Sequence, residues 1–279
     1  FCVYYNTLEI FPVYIRVIIQ LSIVLLVICL INTLNNTYNI ILSPYYMNHT
    51  PSEIKAKLYK LLETAHTVLQ QHGIEYWIDG GTILGAVRGK SIIPWDDDTD
   101  VSVIGDKPTI IKLNSPRLKT ALAKYGMEIS KVWFGYKIFF TDGKLIKRNK
   151  WREHKRKFKL RNPTITKRSE VSKFASKTYK KTKKIAYEPY KYPYLDIFLM
   201  KKEKKNTICY ITNKWRKCKY QTTDLFPLKL YTFGKLKVYG PNSPKPYLNS
   251  CYGNDWNIYG KMTYDHANEK IVKPVIVKL

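Results

Sequence analysis

The sequence predicts an α+β domain, and three observations carry that prediction. A long amphipathic helical pattern runs from Ile54 to Leu69. A strand–turn–helix–strand pattern fills the stretch from Ile74 to Val103. Two later segments alternate like β-hairpins. At 279 residues the chain can hold one substantial domain plus appendages.

The elements follow in order. Thr50-Pro51-Ser52-Glu53 is a capping-box pattern with proline at the first helical position. Ile54, Leu58, Leu61, Leu62, Ala65, Val68 and Leu69 then recur at helical spacing, and Gly73 stops the helix. This helix is expected to pack behind the next strand, a structural role. Ile74, Tyr76 and Ile78 alternate as a short strand that ends at Asp79-Gly80-Gly81. The run from Thr82 to Arg88 reads as a short helix, and a second strand starts near Asp98, with Thr99, Val101 and Val103 on one face. Ser115 to Tyr125 reads as a helix stopped at Gly126. A hairpin is expected from Met127–Trp133 and Tyr136–Thr141 around Phe134-Gly135, and another from Tyr231 to Tyr239 around Phe233-Gly234-Lys235. Tyr252 and Trp256 read as core.

The stretch from Tyr76 to Val103 carries the chemistry. Glycine tolerates positive φ and lets backbone N–H groups approach a ligand closely. A helix that starts just after glycines offers free N–H groups and a positive dipole end to an anion. Arg88 is placed to grip phosphate oxygens or to brace the helix. Asp96, Asp97, Asp98 and Asp100 follow. Alternation along a strand puts Asp98 and Asp100 on one side, about 7 Å apart. Such a pair suits Mg²⁺, which is held by one or two carboxylates plus substrate phosphates. Asp96 and Asp97 are then neighbours rather than ligands. Gly-Gly alone is a common turn, and an Asp run alone is a common solvated loop. Their joint spacing, with no lysine inside the acidic run to offset its charge, favours a metal. Lys137, on the first hairpin, is either within reach of a phosphate or a surface lysine.

The residues GGTILGAVRGKSIIPWDDDTDV resemble the signature of the LicD/fukutin-related family of nucleotidyltransferase-fold enzymes. Tyr194-Leu195-Asp196-Ile197-Phe198 resembles that family's Asp-Ile-Phe strand. Leu225-Phe226-Pro227-Leu228, Val238 to Pro244, and Tyr247 to Trp256 resemble its C-terminal stretch. The resemblance implies a nucleotidyltransferase-like mixed β-sheet flanked by helices. It implies Asp98, Asp100 and Asp196 as catalytic metal ligands for Mg²⁺ or Mn²⁺. Gly80, Gly81, Thr82 and Arg88 would line the donor phosphate, with Lys137 nearby, and Asp196 is the candidate base for the acceptor hydroxyl. The implied reaction moves a phospho-alcohol, of the phosphocholine or ribitol-phosphate type, from a CDP-linked donor to a glycan and releases CMP. The alternatives are nucleotidyl transfer that leaves NMP on the acceptor, and a basic nucleic-acid- or membrane-binding protein with a degenerate site.

Net charge is +27. Residues 144–191 hold 19 Lys or Arg against Glu153, Glu170 and Glu188, a net of +16. That segment reads as a solvated insertion between the catalytic halves, or as a surface for an anionic partner. Val13 to Ile31 is nearly continuous in Ile, Leu and Val, about long enough to cross a bilayer. Arg16 lies near its start, and no Lys or Arg follows until Lys55. Two sequons, Asn35-Asn36-Thr37 and Asn48-His49-Thr50, lie just beyond. The expected organisation is a cytoplasmic tail and anchor over 1–31, a stem over 32–50 and a luminal catalytic domain over 51–279. This is the layout of a single-pass type II membrane protein of the secretory pathway. A glycan acceptor on a glycoprotein or glycolipid fits that compartment, and a nucleic acid does not. Cys209 and Cys218 either pair across a hairpin or, with Cys251, stay free.

Overall fold

The computed structural model describes residues 20, 22–31, 49–146, 189–215 and 217–279. It divides into two compact units, Phe1–Asn48 with Ile258–Lys261 and Val275–Leu279, and His49–Asn257 with Met262–Pro274. In the first unit, residues 22–31 are helical and exposed, Ile23, Leu25 and Leu26 among them. The remainder of the expected anchor lies outside the described residues. Among those described, no helix is long and apolar enough to cross a membrane. The first sequon, and Asn48 of the second, also lie outside them.

The second unit is a mixed α+β fold. Helix α1 spans Ser52–Gln71. Leu58, Leu61, Leu62, Ala65, Val68 and Leu69 are fully buried, which is the stripe that the sequence spacing predicts. The chain leaves it through Gly73 at φ +61°. The expected capping box does not form. Pro51 is the N-cap, without a side-chain cap, and the Thr50 hydroxyl donates to the Asp96 carbonyl at 2.7 Å. Thr50 N–H also donates to the Pro94 carbonyl at 2.9 Å, so the entry to α1 is tied to the acidic loop.

Next come β1 (Trp77–Ile78), α2 (Gly80–Gly89), β2 (Thr99–Ile104), α3 (Lys107–Leu113), α4 (Pro116–Ala123), β3 (Met127–Lys131), β4 (Gly135–Leu145) and β5 (Lys191–Glu203). Helix α3 was not anticipated, although Asp106 caps it by accepting from Thr109 N–H at 2.9 Å, with Pro108 in its first turn. The main sheet runs β1-β2-β5-β4-β3. Strands β2 and β5 are parallel and the other pairs antiparallel. Strands β4 and β5 are longer than their motifs, and Ile146 N–H donates to the Tyr190 carbonyl at 3.2 Å. The ends of the expected basic insertion are therefore sheet, and residues 147–188 lie outside the described residues.

Strands β6 (Thr207–Tyr210) and β7 (Lys219–Gln221) extend the sheet beyond the end of β5. After α5 (Thr222–Leu225), β8 (Lys229–Phe233) and β9 (Leu236–Gly240) form the second expected hairpin. Helix α6 (Lys245–Tyr252) follows, and then β10 (Tyr259–Asp265) pairs with β11 (Lys270–Lys278). Tyr252 and Trp256 pack on the core, as expected. Cys218 is bonded to Cys251, and Cys209 is free. The Cys209–Cys218 pairing is thus corrected. Cys209 lies in β6, where the ladder sets it beside Lys201 and Lys219.

Candidate active site

Sheet register assembles the site. Asp98 lies just before β2, and Asp100 is two residues further, on the same face. The β2–β5 register pairs Asp100 with Asp196, and the β5–β4 register pairs Asp196 with Lys137. One row across three strands therefore carries two carboxylates and an ammonium, about 4.8 Å from strand to strand. Ligand oxygens of Asp98, Asp100 and Asp196 all lie within 4.8 Å of one another. Asp98 and Asp196 are buried.

Crowding and burial set the electrostatics. Burial, then the charges of Asp96, Asp196 and Asp97, holds the Asp98 carboxyl well above its usual range. Burial, with Asp98 and Asp196, does the same to Asp100. Asp196 is also raised by burial, although Lys137 pulls it back. Asp96 is pushed up to about 6, chiefly by burial. Groups held this way are short of positive charge. Three converging oxygen ligands fit a hard divalent cation, whose binding displaces their protons.

Lys137 is not a surface lysine. It is 4 % exposed, and its Nζ lies 2.5 Å from Asp196 Oδ1. The ring of Tyr194 is 3.3 Å from the ammonium, with Tyr190 and Phe134 further out. Lys137 thus supplies one charge to a cluster that needs more.

The two glycines face carboxylates. Gly81 N–H donates to Asp100 Oδ2 at 2.9 Å, and Gly80 N–H donates to the Tyr247 hydroxyl at 3.3 Å. The next two amides, of Thr82 and Ile83, donate to the Asp79 carbonyl. The positive end of α2 is therefore occupied by the protein's own groups. Gly80 has φ +53°. A Cβ there would overlap the Asp100 carboxylate, and one on Gly81 would lie 2.5 Å from Asp96 Oδ2. Thr82 accepts from Asp100 N–H at 2.7 Å. Of the three residues expected at a phosphate, Gly81 and Thr82 hold Asp100, and Gly80 makes room for its carboxylate. Arg88 donates from Nη1 to the Trp256 carbonyl at 3.1 Å and lies over the Trp95 ring, beside Asp96.

Behind the turn, Asp79 is fully buried and accepts from Ser102, from the Tyr210 hydroxyl at 2.7 Å and from Tyr220 at 2.8 Å. Burial, then the Asp79 charge, raises all three nearby tyrosines, Tyr210, Tyr220 and Tyr247, so their hydroxyls stay donors. The Tyr247 hydroxyl is 2.7 Å from that of Tyr210. This network fixes the Gly80 turn. The sequence reading missed it, because its tyrosines lie 131 to 168 residues away from Asp79.

His266 was missed as well. Its Nδ1 is 2.6 Å from Asp97 Oδ1 and its Nε2 is 3.1 Å from Asp98 Oδ2. Burial alone would lower its pKa, but the hydrogen bond and charge of Asp97 prevail and raise it. Asp97 is therefore engaged rather than a bystander. Three residues on, Glu269 accepts from Tyr190, Tyr194 and Tyr264 at 2.9, 2.8 and 2.8 Å.

Fold and site together define an α+β protein built around a buried carboxylate centre suited to a divalent cation. Residues 73–172 and 145–243 match the LicD/FKTN/FKRP nucleotidyltransferase domain, and the chain belongs to that family. Its relatives include an uncharacterized protein of Rickettsia prowazekii, 27 % identical over 75 % of this chain and 59 % of the relative. A Rickettsia typhi counterpart is 28 % identical over 77 % and 52 %. The chain thus spans less than two thirds of the length of either. The lipopolysaccharide cholinephosphotransferase LicD of Haemophilus influenzae is 33 % identical over 30 % of this chain and 35 % of its own. The ribitol 5-phosphate transferase FKRP of Homo sapiens is 48 % identical over 15 % and 9 %.

Proposed function

We propose that this chain is a metal-dependent transferase that moves a phospho-alcohol from a CDP-linked donor to a glycan hydroxyl and releases CMP. The observation that carries the reading is the convergence of Asp98, Asp100 and Asp196 in one cluster, all three within the stretches that match the family. The two characterized relatives bear the names of a cholinephosphotransferase and a ribitol 5-phosphate transferase, which supports a phospho-alcohol as the transferred group. A bound Mg²⁺ or Mn²⁺ supplies charge neutralisation for the donor diphosphate and for the leaving CMP. The chain's own groups do the rest. Gly81 and Thr82 hold Asp100 in place. Lys137 keeps Asp196 oriented and moderates its proton affinity. Asp196, raised by burial, is the carboxylate that takes the proton of the acceptor hydroxyl.

The glycan acceptor goes with a luminal site behind an N-terminal anchor in a type II arrangement. The apolar run over residues 13–31 and the sequons at Asn35 and Asn48 support that compartment. Glycosylation at either asparagine in a eukaryotic host checks it, and an unglycosylated cytosolic product excludes it.

The chemistry is tested by incubating the protein with CDP-choline or CDP-ribitol, Mg²⁺ or Mn²⁺ and a glycan acceptor, and measuring CMP. Wild type should release CMP, and Asp98→Ala and Asp100→Ala should lose about 100-fold or more of the rate, in line with removal of a metal ligand. Equal release by wild type and both variants, or transfer of the nucleotide itself to the acceptor, rules the reading out.

A further inference from the structure

Each of the three clustered carboxylates has a dedicated partner of its own. Asp100 receives the Gly81 amide, Asp196 faces the Lys137 ammonium, and Asp98 faces His266 Nε2 at 3.1 Å. The first two partners lie within the stretch matched to the family. The third does not. That match ends at residue 243, and His266 sits in the turn between β10 and β11. Asp98 also has most need of a partner, because it precedes the first ladder residue of β2 and the sheet does not fix its backbone.

The imidazole is itself seated. Asp97 Oδ1 takes its Nδ1, and Asp97 Oδ2 accepts from the backbone N–H groups of His266 and Ala267 at 3.1 and 3.3 Å. The other end of the turn is fastened through Glu269, which accepts from the hydroxyls of Tyr190, just before β5, and Tyr194, within it. Glu269 keeps φ +53°, a left-handed conformation that non-glycine residues adopt only where surroundings enforce it. A docked turn therefore delivers one ring between two carboxylates of the acidic loop.

We infer that His266 is a positioning residue which, seated by Asp97, fixes the carboxylate of Asp98 for cation ligation. The inference rests on the metal-centre reading above but not on the identity of donor or acceptor. Groups that orient metal ligands in this way typically govern 10- to 100-fold in metal affinity.

The test uses the whole chain and Mn²⁺ alone, with binding followed by the electron paramagnetic resonance of free Mn²⁺. His266→Ala should raise the Mn²⁺ dissociation constant by about tenfold or more. Asp97→Asn, which keeps the ring but weakens its seat, should shift it in the same direction. Tyr190→Phe removes one tie on Glu269 without touching the ring, and should stay within about twofold of wild type, since an ordinary hydrogen bond is worth little net. Thermal unfolding checks that each variant is folded; if His266→Ala is not, Asp97→Asn decides. A Mn²⁺ affinity unchanged in His266→Ala overturns the inference. So does a loss in Tyr190→Phe as large as that in His266→Ala, because docking of the turn would then be the whole effect. Wild type that binds no Mn²⁺ overturns this inference and the metal centre together. Absence of CMP release with intact Mn²⁺ binding counts against the proposed reaction only.

Discussion

Replacing Lys137 by methionine removes the positive charge that faces Asp196. Methionine keeps the volume and the apolar stem, so no large cavity opens. The change removes an ion pair of 2.5 Å whose side chains are only 5 % and 8 % exposed. Removing one partner of a buried pair costs about 3–5 kcal/mol, because the remaining charge is left buried without compensation. Loss of the ammonium over Tyr194 acts in the same direction. The cost has a ceiling, since Asp196 can take up a proton. Its folded pKa is already above the usual range, and without Lys137 it rises further. A carboxyl raised on folding contributes stability that is present below its unfolded pKa and lost as pH rises through the folded one. The variant loses more over that window than wild type, so the gap between them widens with pH and closes on acidification, by at most about 1.4 kcal/mol per pH unit. Urea unfolding in chelator should therefore show Lys137→Met about 3 kcal/mol less stable at about pH 7.5, and distinctly closer to wild type at about pH 5. A deficit below about 1 kcal/mol at the higher pH, or one that grows on acidification, would refute the assignment of Lys137 as the counter-charge of Asp196.

Two further predictions concern the same centre. Gly81→Ala puts a Cβ 2.5 Å from Asp96 Oδ2, so the acidic loop must shift, and Mn²⁺ affinity should fall by about tenfold. Gly89→Ala, whose Cβ meets only Ser91 Oγ at 3.5 Å, should bind Mn²⁺ normally and be slightly stabilised; equal behaviour of the two variants contradicts the cradle. Without metal, the raised carboxyls (Asp98, Asp100, Asp196, and Asp96 at about 6) make stability fall as pH rises from about 4 through about 6. His266, also raised, acts in the same direction. The unfolding midpoint in chelator should then be higher at about pH 5 than at about pH 7.5, and Mn²⁺ should shrink that difference; a midpoint that rises with pH in chelator argues against a cluster short of positive charge.

What the sequence revealed and what it hid follow from range. The period-2 alternation of Thr99, Val101 and Val103 is local, and it put Asp98 and Asp100 on one side, where the structure has them. The α1 stripe, both hairpins and the stop at Gly73 are likewise written in neighbouring residues. The place of Asp196 depends on the parallel β2–β5 register, whose partners Asp100 and Asp196 are 96 positions apart, and only resemblance pointed to it. Of the two readings of Lys137, the surface lysine fails, because Lys137 lies between Tyr136 and Ile138 on a strand that is buried throughout this stretch. In the middle of a mixed sheet both faces are covered, so the alternate position is buried too. Thr50, read as a helix cap, was recruited by the acidic loop, which no helix-end pattern anticipates. Asp97 and His266 meet across 169 residues, and nothing local marks either as a partner.

The Gly-Gly turn changes meaning once its contacts are known. Read alone, free amides at a helix start are an anion site for a phosphate. In the fold, the anions at that turn are Asp100 and Asp96, and the close approach of those carboxylates excludes a Cβ at both glycines. The dipole of α2, worth up to about 2 kcal/mol in buried geometry, thereby offsets part of the repulsion among the acids. The Gly81 amide is directed at Asp100 and the Gly80 amide at the Tyr247 hydroxyl. Under the proposed reaction, a diphosphate donor would be drawn to these carboxylates through the bound cation. Linkage would then require that cation and donor raise each other's affinity by the same factor. The turn thus seats the clustered carboxylates, and under the proposed reaction the donor phosphates would meet the cation rather than the helix end.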